Sequence, residues 1–134
     1  GGYTFFSNAK RYEEYKNSRA NRSHVILTSN VSGEYCAGDH VINYYRLAGD
    51  RKESSANCGV MLLRLLKLLG VSQAALAGFD GYEEGKDNYL PGYFGEFYGV
   101  HTGDNRQIAA RLEEIRKELP LVFLTPSLYE EAMK

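Results

Sequence analysis

The chain has no tryptophan, only two cysteines and three histidines, and almost no net charge. Cys36 and Cys58 are too few for a disulfide scaffold and lack metal-ligand spacing, so two free thiols in a reducing compartment are expected. His24, His40 and His101 form no short-range cluster in sequence, and no metal site is expected among them. Lys plus Arg number 16 and Asp plus Glu 17, a formal charge of −1. That balance gives no global attraction to nucleic acid or to an anionic membrane, so neither is expected as a partner. The longest apolar run, Gly59–Val71, is broken by Arg64 and Lys67. It falls short of the roughly 18–20 apolar residues of a membrane span. Three phosphate or acyl-transfer signatures are also missing. There is no Gly-x-Gly-x-x-Gly dinucleotide turn, no Walker A loop and no Gly-x-Ser-x-Gly nucleophile elbow.

What is present describes a folded domain. The chain has 134 residues, with 43% apolar and 25% charged side chains. That composition suits one globular domain, residues 1–134, and the length excludes a complete eight-unit barrel of about 250 residues. Tyrosine is abundant at 11 and phenylalanine adds 6. Such rings serve contact surfaces and wet clefts, or fill the edge of a core. The sequence starts Gly1-Gly2 with no Met, and it is expected to be a piece of a longer protein. Asn21-Arg22-Ser23 and Asn30-Val31-Ser32 fit the glycosylation triplet, which arises often by chance and carries no weight here.

Strand and helix signals alternate along the chain. Tyr3–Phe6 reads as a strand, followed by a helix over Arg11–Asn17 with Tyr12 and Tyr15 on one side. Val25–Thr28 is a second strand. Val41–Leu47 is a third; the short link before it suggests an antiparallel strand or an irregular excursion over Ser32–His40. From Asn57 to Leu69 runs the strongest helix, with Gly70 at its end. Its many large apolar residues predict a deeply buried element, and Cys58 is expected to be packed inside with them. Ala74–Ala77 and Leu121–Leu124 are the fourth and fifth strands. Asp104 and Gln107 form a capping box for a helix to about Leu119, and Thr125-Pro126 opens a last short helix through Ala132. The expected fold is α/β, a three-layer Rossmann-like sandwich with a mostly parallel sheet of about five strands. Between Tyr82 and Gly103 little periodicity is visible, but six aromatic rings are. That segment is expected to be ordered against a crevice mouth, a missing domain of the same chain or a second copy, or else to extend this domain's own core.

In open α/β sheets, ligands bind beyond the carboxyl ends of the strands. That rule singles out Ser7, Asn8, Ser29, Asn30, Asp80 and Thr125, with Ser127 beside them, as a candidate crevice for a polar anion or nucleotide. For each alone, capping its own helix or turn is sufficient reason to be there. Glu83, Glu84 and Asp87 read as a solvated loop face; His40 and His101 are weakly placed for catalysis. No complete catalytic set is visible.

Ser7-Asn8-x-x-Arg11-Tyr12-Glu13-Glu14-Tyr15, Thr28-Ser29-Asn30, Asn57–Gly70 and Leu76-Ala77-Gly78-Phe79-Asp80-Gly81-Tyr82 together carry a resemblance over most of the chain. It resembles the carboxyl-terminal domain of bacterial aldolase-like proteins whose barrel is of the 4-hydroxy-2-oxovalerate aldolase and HMG-CoA lyase kind. The resemblance implies an accessory domain in a cytoplasmic enzyme associated with surface polysaccharide genes. It implies a barrel of the same chain as partner, and a divalent metal in that barrel with no cofactor in this piece. It further implies carbon–carbon cleavage by the parent and none by the isolated chain. A second, fainter resemblance is to Rossmann-like bacterial sialyltransferases, with Asn8, Asn30 and Asp80 near a nucleotide-sugar. A third reading is a structural module that builds homo-oligomers.

Overall fold

A computed structural model describes residues 2–17, 23–35, 38–49, 57–81 and 104–134. The segment Tyr82–Gly103, Cys36 and His101 lie outside the described residues, and so do the readings made for them. Helices and strands alternate through five strands, and every described strand pairing is parallel, an α/β architecture. Contacts divide the chain into two compact units, Gly1–Lys52 and Glu53–Lys134.

The first unit is built as strand β1 (Tyr3–Phe6), helix α1 (Ala9–Lys16), β2 (His24–Thr28), α2 (Ser29–Tyr35), β3 (His40–Ile42) and α3 (Tyr44–Ala48). Its sheet order is β1-β2-β3. Phe5 lies opposite Ile26, and Leu27 opposite Val41. Asn8 starts α1, its side chain accepting from the Lys10 and Arg11 amides. Tyr12 and Tyr15 then fall on the sheet side of α1, with ring centroids 5.6 and 4.8 Å from that of Phe6. The tyrosines of this helix thus fill a core edge. Leu27, Val31 and Leu47 are fully buried.

Two expectations fail in this unit. The link between β2 and β3 holds a helix, α2, and β3 runs parallel to β2. About two turns of helix are enough for this crossover. Among the described side chains of α2 Val31 is the buried one, and the helix is short and rich in small polar residues, so its apolar signal is weak. The third strand is also shorter than Val41–Leu47, because Asn43 stops it. The Asn43 side chain accepts from the Tyr45 and Arg46 amides and turns Tyr44–Ala48 into a helix. That local cap prevails over the strand preference of two tyrosines.

The second unit is α4 (Cys58–Leu68), β4 (Ala74–Leu76), α5 (Asp104–Arg116), β5 (Leu121–Phe123) and α6 (Leu128–Ala132). Asn57 caps α4 through the Val60 amide at 3.1 Å. At its other end the Gly70 amide donates to the Lys67 carbonyl and the Val71 amide to the Leu66 carbonyl, both at 3.1 Å. This is a Schellman turn, and Gly70 supplies its positive φ of 75°. Val60, Met61, Leu63 and Leu65 are buried, as the apolar content of α4 predicts. Leu68 and Leu69 are exposed. Cys58 is exposed too, which overturns its expected burial: it sits in the first turn, before the buried stripe begins at Val60. Residues of α4, α5 and α6 close over one face of the β4-β5 pair, with Leu112 and Leu119 at 0% exposure.

Candidate functional site

All three strands of the first unit run in one direction, so one sheet edge collects their carboxyl ends. Helices α1, α2 and α3 all start there. Ser7 and Asn8 follow β1 on this edge, Ser29 and Asn30 follow β2, and Asn43 follows β3. Asn8, Ser29, Asn30 and Asn43 are exposed.

Their hydrogen bonds tie the edge together. Asn30 Nδ2 donates to the Ser7 carbonyl at 3.1 Å, linking the end of β1 to the start of α2. Asn30 Oδ1 accepts the Thr28 hydroxyl, whose oxygen also lies 3.4 Å from the Phe6 carbonyl. Thr28 is fully buried, so this contact satisfies a hydroxyl that would otherwise cost about 1–3 kcal/mol. Ser29 Oγ accepts the Tyr44 amide at 2.9 Å and so fixes the start of α3 against the end of β2.

The direction of these bonds sets the chemistry of the edge. Asn8 and Asn43 both turn Oδ1 inward to helix amides. The other polar atom of each side chain is the amide nitrogen, a donor only. None of α1, α2 and α3 carries an acidic residue in its first turn. In α1 the first turn instead holds Lys10 and Arg11. Carboxylates are the favoured companions of a helix start, and cations there oppose the helix dipole by some tenths of a kcal/mol. The helix starts on this edge thus carry cations and no first-turn acid, with Arg11 paired to Glu14 one turn on at 3.6 Å. Asn43 was missed by the sequence reading, although Asn43 and Gly49 bracket a short helix in the usual way.

Asp80 and Thr125 belong to the corresponding edge of the second unit. Thr125 Oγ1 accepts the Gly78 amide at 3.0 Å, joining the ends of β4 and β5. It is not the helix cap; Ser127 is, accepting from the Tyr129 and Glu130 amides at 3.2 and 3.4 Å. Asp80 contributes its backbone carbonyl, which accepts the Leu128 amide at 2.8 Å, and it is exposed. Gly81 has φ of 88° and stands so near α6 that a Cβ there would lie 2.9 Å from Leu128 Cβ. This edge carries Asp80, and Glu130 and Glu131 occupy the first turn of α6. Its charge is opposite in character to that of the first unit.

Among the described residues no group of three or more His, Cys, Asp or Glu is placed to hold a metal ion. No helix among them is long and apolar enough to cross a membrane. No family model, no curated protein and no solved structure matches this chain.

Proposed function

We propose that this chain is an accessory ligand-binding module of a larger enzyme, and that the carboxyl edge of β1-β2-β3 takes a small phosphorylated ligand such as a nucleotide-sugar. The observation that carries this reading is that three helices start on one sheet edge without a single first-turn acid, with Lys10 in the first turn of α1 and the amide nitrogens of Asn8 and Asn43 left as donors by their caps. Phosphate oxygens accept from such donors, and their charge suits the positive ends of helices. Under the resemblance described above, the parent is a cytoplasmic aldolase whose metal and carbon–carbon chemistry belong to its barrel. The isolated chain then has no lyase activity of its own.

Calorimetric titration of the purified chain tests the reading. Uridine diphosphate glucose and inorganic phosphate are expected to bind and glucose is not, with affinity falling as salt rises. Equal binding of glucose and the nucleotide-sugar, or none of the three at millimolar concentration, would refute it. A glycosyltransferase-like module shares the ligand but differs in turnover. Release of uridine diphosphate in the presence of an acceptor sugar would move the assignment to that class.

A further inference from the structure

We infer that His24 and His40 form a two-imidazole site for a late first-row divalent ion, such as Zn2+ or Cu2+, at the amino end of the β1-β2-β3 sheet. This end is opposite the edge discussed above, so the inference is independent of the proposed ligand. In register, Tyr3 lies opposite His24 and Ile26 opposite His40. Side chains two apart on a strand share a face, so His24 and Ile26 point the same way, and their partners Tyr3 and His40 point with them. The rings meet on that face. Centroids are 5.4 Å apart for Tyr3–His24, 6.1 Å for Tyr3–His40 and 6.5 Å for His24–His40. All three residues are exposed.

Backbone bonds hold the frame of the pair. The His24 amide donates to the Gly2 carbonyl at 2.9 Å. The Asp39 amide donates to the Val25 carbonyl at 2.9 Å, and the Val25 amide to Asp39 Oδ2 at 2.7 Å. The start of β3 is thus clipped to β2 on both sides of the peptide. One ion bonded to a nitrogen of each ring at about 2.0–2.1 Å would hold the centroids roughly 4.5–5.5 Å apart. The present separation is wider by about 1–2 Å, a distance that exposed side chains cross by rotation about their χ angles. Two neutral imidazoles select late transition ions over Mg2+ and Ca2+, which want oxygen. Two protein ligands leave the other positions to water or to groups from another molecule.

The test is metal titration of the full chain, stripped with a chelator, at about pH 7.5, following the imidazole resonances by NMR. Zn2+ is expected to shift the His24 and His40 rings together at one ion per chain, and Mg2+ to shift neither. His24→Ala and His40→Ala should each weaken binding about tenfold or more, whereas His101→Ala and Tyr3→Phe should not. Exposed positions such as these tolerate substitution, and the wild-type spectra report the pair without any variant. Shifts confined to His101, wild-type affinity in either His24→Ala or His40→Ala, or no response to millimolar Zn2+ and Cu2+ would overturn the inference.

Discussion

Gly81→Ala offers a quantitative test of how the second unit is closed. Alanine at this position meets two separate costs. Its φ of 88° lies where side chains are disfavoured, and its new methyl would stand 2.9 Å from Leu128 Cβ. Gly70 is the internal reference. Its φ of 75° imposes the first cost, but nothing lies within 4 Å of an added Cβ. A positive-φ alanine costs about 1–2 kcal/mol. Overpacking against a backbone-anchored carbon adds about 1–3 kcal/mol, because Leu128 Cβ can yield only by moving α6. The entropy that alanine removes from the unfolded chain is common to both variants and cancels in the difference. Gly70→Ala is therefore expected to lose about 1–2 kcal/mol and Gly81→Ala about 2–5 kcal/mol. Urea denaturation followed by circular dichroism measures both, with an unchanged slope showing that the unfolding reaction is the same. Equal losses within about 0.5 kcal/mol would show that Gly81 is not crowded by α6, and the packing described for Asp80-Gly81 would be wrong.

Further outcomes follow from the same contacts. Leu112→Ala, at a fully buried site, should cost about 2–5 kcal/mol by urea melts, and a loss below 1 kcal/mol would contradict its place in the core. Asn43→Ala removes the cap of α3 and should cost about 1 kcal/mol, with faster amide exchange at Tyr45 and Arg46; unchanged exchange there would refute the capping role. Lys67→Ala breaks the ion pair with Glu118 at 2.6 Å, but both side chains are well exposed, so stability should fall by no more than about 1 kcal/mol. A larger loss would mean that the pair is more sheltered than described.

Much of the fold is readable in the residues because strong local signals and tertiary packing agree. Asn57 and Gly70 bracket α4, and the apolar residues between them are the ones it buries. The same agreement locates α5, β4 and β5. The reading fails at α2, a short helix of small and polar residues in which Val31 is the buried anchor among the described side chains. It fails again at Tyr44-Tyr45, where strand preference competes with a cap at Asn43 and loses. At the candidate site, Ser7, Asn8, Ser29 and Asn30 are predictable from their positions after strands. The direction of their hydrogen bonds is not. Whether an asparagine turns its oxygen or its nitrogen outward depends on which helix amides stand unsatisfied beside it. Thr125 shows the converse. A Thr-Pro pair suggests a cap, but the Gly78 amide claims the hydroxyl and leaves the cap to Ser127.

The central claim is that the donor-rich edge of the first unit, and not the acidic edge of the second, receives a phosphorylated ligand. Amide chemical-shift mapping on the 15N-labelled chain during titration with uridine diphosphate glucose tests it directly. Shifts are expected at Ser7, Asn8, Lys10, Ser29, Asn30, Asn43 and Tyr44, and they should weaken in the charge-removing variant Lys10→Gln. Shifts centred instead on Gly78, Asp80, Thr125 and Ser127, or an unchanged spectrum at millimolar ligand, would contradict the account.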